Sequence, residues 1–256
     1  MRKSKVLAKL RAGKVVCSFK TNLDSARATE IAAMAGFECI WTCLEHGPND
    51  ISLIERQINA AKAWDTDVMV RVARGSYSDY IHPLELDAAG IMVPHVMSLE
   101  DAKNVVRMTR FAPIGRRAVD SGFADAQYCN VDLATYTREA NEQRFVAIQI
   151  EDPEPLADLD AIAELDGIDI IFFGPGDFSH GLGAPGQWNH PKIAEARQRI
   201  VQVAKAHGKV AGTVGNPGNL KELVAMGYRF INVGGDVITL REHCRKLVEA
   251  VDRQPS

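Results

Sequence analysis

Short apolar runs, many rich in β-branched residues, alternate along this chain with longer stretches whose apolar residues recur every three to four positions. The short runs predict strands at Val15–Phe19, Cys39–Leu44, Asp67–Val72, Gly90–Val93, Phe145–Ile150, Ile168–Phe173, Lys209–Thr213 and Phe230–Val233. The longer stretches predict helices at Ser25–Met34, Ile51–Trp64, Tyr77–Leu86, Leu99–Arg110, Val131–Asn141, Ala157–Glu164, Ile193–Ala206 and Asn219–Met226, with Arg241–Val251 closing the chain. Val6, Leu7 and Leu10 form a further short amphipathic helix that ends near Gly13. Eight strands alternating with helices predict an α/β fold, a single-domain (β/α)8 TIM barrel over residues 1–256. The competing architecture is a doubly wound open sheet. It usually has fewer strands and a glycine-rich phosphate turn after the first, and neither G-x-G-x-x-G nor G-x-x-x-x-G-K-[ST] occurs here. No linker, repeat or low-complexity run divides the chain.

Composition narrows the function. With 46% apolar residues the chain can fill a large core, and a formal charge of −3 gives no support to nucleic acid or a membrane surface as partner. No apolar run reaches the length needed to span a bilayer. The five cysteines are odd in number, scattered and without a C-x-x-C pair, as expected of free thiols in a reducing cytoplasm, with Cys39 and Cys43 as small apolar fillers on one strand face. The basic N-terminus lacks the apolar core of a secretory signal. It is acid-free like a mitochondrial presequence, but it is short and runs straight into a strand, so we read it as a helix capping one end of the barrel.

The chemistry concentrates between Phe145 and Gly186. Two strand runs there flank a helical run, and a right-handed crossover makes them parallel. Glu151 directly follows the first, and Asp177 lies just past a Gly174-Pro175-Gly176 turn after the second. Both carboxylates therefore emerge at the C-terminal end of the sheet, where two acids can hold one divalent ion and the glycines let backbone amides approach a ligand. In a barrel the catalytic rim is made by the residues just past each strand. Read in order these are Lys20; Glu45, His46 and Gly47; Arg71; Pro94 and His95; Glu151; Gly174, Pro175, Gly176 and Asp177; Val214, Gly215 and Asn216; and Gly234, Gly235 and Asp236. The plain alternatives are that His46 caps a turn, that Arg71 only pairs with Glu45, and that His95 is packed under a loop.

Such a set suits a 2-oxo acid. Its keto and carboxylate oxygens can chelate the ion, which acidifies the neighbouring methyl group. Arg71 offers a fixed fork of donors to a developing oxyanion, amides of Gly176 and Asp177 can take the substrate carboxylate, and His46 is the candidate base.

The elements E-H-G-P-N-D, Q-x-E and G-P-G-D-F-S-x-x-L-G, with V-R-V, G-I-M-V-P-H-V and P-I-G-R-R-A-V between them, resemble the HpcH/HpaI aldolases. These are class II pyruvate aldolases, the group that includes 4-hydroxy-2-oxoheptanedioate aldolase and 2-dehydro-3-deoxyglucarate aldolase. The resemblance spans nearly the whole chain. It implies a (β/α)8 barrel and a homo-oligomer, a hexamer of swapped dimers, with the C-terminal helix packing on a neighbouring subunit. It also implies Mg2+, Mn2+ or Co2+ as cofactor, and cleavage of a 4-hydroxy-2-oxo acid to pyruvate and an aldehyde. Glu151 and Asp177 fall on the metal ligands of that family, His46 on its acid/base histidine and Arg71 on its enolate-stabilising arginine. Gln149 and the backbone of Gly174, Pro175, Gly176 and Asp177 fall on its pyruvate contacts. Three positions depart from its pattern. Cys43 stands where an Asp often pairs with the histidine, and Glu85 where an Asp reaches a neighbouring subunit's site. Lys20 replaces an aromatic or small residue, and we expect it to meet an anionic tail on the aldehyde rather than to form a Schiff base. Two other readings of the same site are decarboxylation of a 2-oxo acid such as oxaloacetate and non-catalytic binding of 2-oxo acids.

Overall fold

In the computed structural model, which describes residues 1–252, eight parallel strands close into a barrel in sequence order. They are β1 (Val16–Lys20), β2 (Cys39–Cys43), β3 (Asp67–Arg71), β4 (Gly90–Val93), β5 (Phe145–Ile150), β6 (Ile170–Phe173), β7 (Val210–Val214) and β8 (Phe230–Gly235). The helices are α1 (Lys5–Arg11), α2 (Ala26–Met34), α3 (Ile51–Lys62), α4 (Tyr77–Glu85), α5 (Leu99–Thr109), α6 (Leu133–Gln143), α7 (Leu159–Glu164), α8 (Pro175–Gly181), α9 (Pro191–Ala206), α10 (Leu220–Met226) and α11 (Asp236–Asp252). The predicted (β/α)8 architecture is present, and every predicted strand lies within two residues of its observed start.

Side chains on a strand alternate between two faces, so each strand supplies one set to the barrel interior and one to the helices outside. The interior set includes Val16, Cys39, Trp41, Met69, Met92, Phe145, Ala147, Ile170, Phe172 and Phe230, all buried. Gly90 belongs to the same layer, because a Cβ there would collide with the ring of Phe145. The outer set, such as Ile91, Val146, Ile148, Ile171 and Phe173, packs against α5, α7 and α9.

The lower mouth is plugged by α1, whose Val6, Leu7 and Leu10 join the interior cluster. Asp67, at the start of β3, anchors it: the carboxylate accepts from Ser4 Oγ at 2.7 Å and Val6 N at 2.9 Å. The upper mouth, at the C-terminal ends of the strands, is left to polar side chains.

Two elements differ from the sequence reading. The Gly174–Gly176 segment is not a free turn: Gly174 caps α8, and Pro175 opens its first turn, where a missing N–H costs nothing. The closing helix begins at Asp236 rather than Arg241, its first turn hidden in the sequence by the β-branched Val237, Ile238 and Thr239, which are weak helix formers. That helix leaves Ile238, Leu240, Leu247, Val248 and Val251 exposed. None of the five cysteines is in a disulfide, and no described helix is long and apolar enough to cross a membrane.

Candidate active site

The upper rim is built by parity. Residues continuing the inward set of each strand are Lys20 on β1, Cys43 and then Glu45 past β2, Arg71 on β3, and Gln149 and then Glu151 on β5. Strand register sets them side by side: Cys43 is level with Arg71, Lys20 with Trp41, and Ile150 with Phe173, so Glu151 emerges next to Gly174.

Arg71 is buried and tightly held. Its Nε and Nη2 donate to Cys43 Sγ at 3.3 and 3.2 Å, and Nε stands 2.9 Å from Glu45 Oε2. The guanidinium carbon lies 5.2 Å from the centroid of the Trp41 ring, a cation–π arrangement. Cys43 is thus more than the apolar filler expected of it. Its sulfur accepts both Arg71 donors and also the backbone N–H of His46 at 3.3 Å. The His46 ring is largely exposed, and its Nε2 is 3.7 Å from Glu45 Oε2.

Glu151 is 1% exposed, and its Oε2 accepts from Gln149 Nε2 while its Oε1 accepts from His95 N at 2.9 Å. Burial pushes its carboxyl up to about 7, with repulsion from Asp177 adding to the shift and His95 and Arg71 opposing it. Asp177 itself is exposed in the first turn of α8, where the helix dipole favours an anion. Gly174 is required where it stands, because a Cβ would lie 2.8 Å from Gln149 Nε2 and from Cβ and Oε2 of Glu151. Gly174→Ala is expected to cost about 1–3 kcal/mol as an overpacking change and to displace Glu151, measured as a lowered melting temperature together with lost activity.

Lys20 extends over the opposite face of the rim, Nζ 4.8 Å from the Trp41 centroid. No carboxylate among the described residues lies within 4.0 Å of it. Burial first, then the charge of Arg71, lowers its pKa below the usual lysine value, against the pull of Cys43, Glu45 and Asp236. Glu85 does not join this rim. It ends α4, next to the N-terminal side of β4, buried beside Arg117 and Asp125, and burial raises its pKa.

Two residues join the site that the sequence reading left in lesser roles. Ligand atoms of Glu45, His95 and Glu151 all lie within 4.8 Å of one another. His95 has φ of 46°, a left-handed backbone uncommon outside glycine, which turns its ring back over the barrel mouth. Parity could have selected Glu45, which follows Cys43 by two; nothing in the local sequence signals the turned backbone at His95.

This donor set fits a divalent cation. Glu45 Oε2 is buried without a hydrogen bond, because the nearby Arg71 N–H groups aim at Cys43, and Gln149 Oε1 is likewise buried and unpartnered. Carboxylate oxygens suit Mg2+, Mn2+ or Co2+, and a bound cation would offset the burial that raises the Glu151 carboxyl.

A sequence model of the HpcH/HpaI aldolase/citrate lyase family matches residues 19–242. The chain is 35% identical over 215 residues to a 2-keto-3-deoxy-L-rhamnonate aldolase of Klebsiella pneumoniae, covering 84% of this chain and 80% of that one. It is 32% identical over 240 residues to a hydroxypyruvate/pyruvate aldolase of Pseudomonas aeruginosa, covering 93% and 89% respectively. The barrel matches the crystal structure of an HpcH/HpaI aldolase from Desulfitobacterium hafniense with a TM-score of 0.92 and 29% identity, over 98% of this chain and 97% of that one. The chain belongs to the HpcH/HpaI aldolase/citrate lyase family and is a lyase of the aldolase kind.

Proposed function

We propose that this chain is a divalent-metal-dependent (class II) aldolase that cleaves a 4-hydroxy-2-oxo acid to pyruvate and an aldehyde. The observation that carries this reading is Glu151, a buried carboxylate with ligand atoms of Glu45 and His95 gathered within 4.8 Å at the same barrel mouth as a guanidinium fixed by Cys43. Glu151 and Asp177 would hold Mg2+, Mn2+ or Co2+, which supplies Lewis acidity to the 2-oxo group of the substrate. Gln149 and the backbone of Gly174, Pro175, Gly176 and Asp177 line the place for the pyruvate carboxylate. His46 takes the proton from the C4 hydroxyl, the C3–C4 bond breaks, and the electron pair moves onto the 2-oxo oxygen. Arg71 meets that charge with a guanidinium already oriented by Cys43 and Glu45, so little reorganisation is needed. Protonation at C3 then releases pyruvate.

A second reading, decarboxylation of oxaloacetate, is favoured by one observation. Cys43 gives the exposed His46 a backbone contact where a carboxylate could orient its ring, so the base is weakly positioned, while decarboxylation needs no proton taken from a hydroxyl. The discriminating experiment is a metal-supplemented screen for pyruvate release from several 4-hydroxy-2-oxo acids, with oxaloacetate alongside. Release from the hydroxy acids supports the aldolase. Release from oxaloacetate alone selects the decarboxylase, and binding without either selects a non-catalytic 2-oxo acid binder.

Lys20 sets the acceptor. A half-buried ammonium with no carboxylate within 4.0 Å among the described residues, stacked on Trp41, suits an aldehyde that carries its own anion. Lys20→Ala is expected to raise KM roughly tenfold for carboxylate-bearing aldehydes and to leave neutral ones unchanged, about the worth of one charge-assisted hydrogen bond. Borohydride treatment with pyruvate should leave the mass of the chain unaltered, since a stable adduct on Lys20 would mark a Schiff-base enzyme instead.

The exposed apolar face of α11 supports a homo-oligomer in which this helix packs on a neighbouring subunit, with a hexamer as the expected assembly. Glu85, remote from its own rim, remains the candidate to approach a neighbour's site. Five thiols without a disulfide fit a cytoplasmic enzyme.

A further inference from the structure

We propose that His95 supplies an imidazole nitrogen to the same ion, making the centre one of mixed nitrogen and oxygen ligands that favours later transition metals over Mg2+; this rests on the metal-dependent reading above. Three observations converge. First, Nε2 of His95 faces the carboxylates, 3.7 Å from Glu45 Oε1 and 3.7 Å from Glu151 Oε1. Ligands sharing one ion at about 2.1 Å stand about 3.0–3.4 Å apart, so small side-chain movements close the set. Second, Nδ1 is 2.8 Å from Asp152 Oδ2. A carboxylate on one ring nitrogen fixes the tautomer that leaves the other nitrogen's lone pair free, which is the support that metal-binding histidines almost always have. Third, the left-handed backbone at His95 is a local cost of a kind that clusters at functional sites, and Glu151 itself holds it by accepting the His95 amide at 2.9 Å. One further buried acceptor is available nearby: Gln149 Oε1 has no hydrogen-bond partner among the described residues, and Gln149 is 3% exposed.

The consequence is selectivity. Oxygen-only sites suit Mg2+ and Mn2+, whereas an imidazole raises affinity along the series toward Co2+ and beyond. His95 then also ties the β4 and β5 loops to the ion, so that metal binding orders both.

The test uses the full-length chain, stripped of metal and reloaded with Mn2+, and examined by pulsed EPR for the 14N modulation of a coordinated imidazole. Wild type is expected to show it, and His95→Asn to lose it while still binding Mn2+; Asn tolerates the left-handed backbone, and a melting curve confirms the fold. In calorimetry, His95→Asn is expected to weaken Co2+ at least tenfold and Mg2+ less than twofold. Asp152→Asn is expected to weaken Co2+ by roughly 10- to 100-fold, as a lost supporting carboxylate does. Mn2+ bound without 14N modulation in wild type, or modulation that persists in His95→Asn, overturns this proposal and leaves the aldolase reading standing. Failure of wild type to bind Mn2+ at all overturns both.

Discussion

Glu151→Gln, and Asp177→Asn likewise, is expected to lower turnover by about 10²–10⁴-fold, the several kcal/mol that a Lewis-acid cation supplies. The fold should survive. Glu151 is a buried carboxyl whose charged form is disfavoured by burial, so a neutral isostere removes that penalty, while its single oxygen keeps only one of the two bonds now received from the Gln149 amide and the His95 N–H. Asp177 is exposed in a first helical turn, where Asn is well tolerated. The relief of charge burial and the lost hydrogen bond oppose each other, so the melting temperature of metal-free Glu151→Gln is expected to stay within about 5 °C of metal-free wild type at pH 8. Added Mn2+ should raise the melting temperature of wild type alone. Full activity in either variant, or in wild type treated with a chelator, would refute the metal-dependent reading.

Arg71→Lys is expected to cost about 2–4 kcal/mol in the transition state, or about 30- to 1,000-fold in kcat. The guanidinium does several things at once that a single ammonium cannot: it donates twice to Cys43, pairs with Glu45 and lies over the Trp41 ring. The readout is oxaloacetate decarboxylation, which places negative charge on the same oxygen without calling on His46. Near-wild-type decarboxylation by Arg71→Lys would show that Arg71 is only a structural partner of Glu45.

The barrel was legible because each strand is a short apolar run bounded by turn residues, and because eight such runs separated by helices admit few other topologies. Residues just past strand ends were legible for the same reason, which is how Lys20, Arg71 and Glu151 were reached. Glu45 follows Cys43 by two and so shares its inward parity, yet beside a histidine and an arginine it read as a mere pairing partner. His95 falls on the outward parity of β4, and only its left-handed backbone brings the ring inward; no neighbouring glycine or turn motif announces that. Asp177 looked like a loop residue after a glycine turn, whereas it lies on the first turn of a helix, because Pro175 reads equally well as a turn former and as a helix start. Glu85 ends α4 away from its own rim, so any approach to a site falls to a second subunit, and nothing in one chain's sequence encodes that geometry.

The central claim is that this rim removes and returns a proton at the pyruvate methyl group only when a divalent cation is held by Glu151. Exchange of the pyruvate methyl protons into D2O, followed by NMR with Mg2+, measures this step without an aldehyde, a hydroxy acid or a coupling enzyme. Rapid exchange with Mg2+, its loss on chelation, and its absence in Glu151→Gln are the predicted result. Exchange that continues unchanged after chelation, or in Glu151→Gln, would contradict the account.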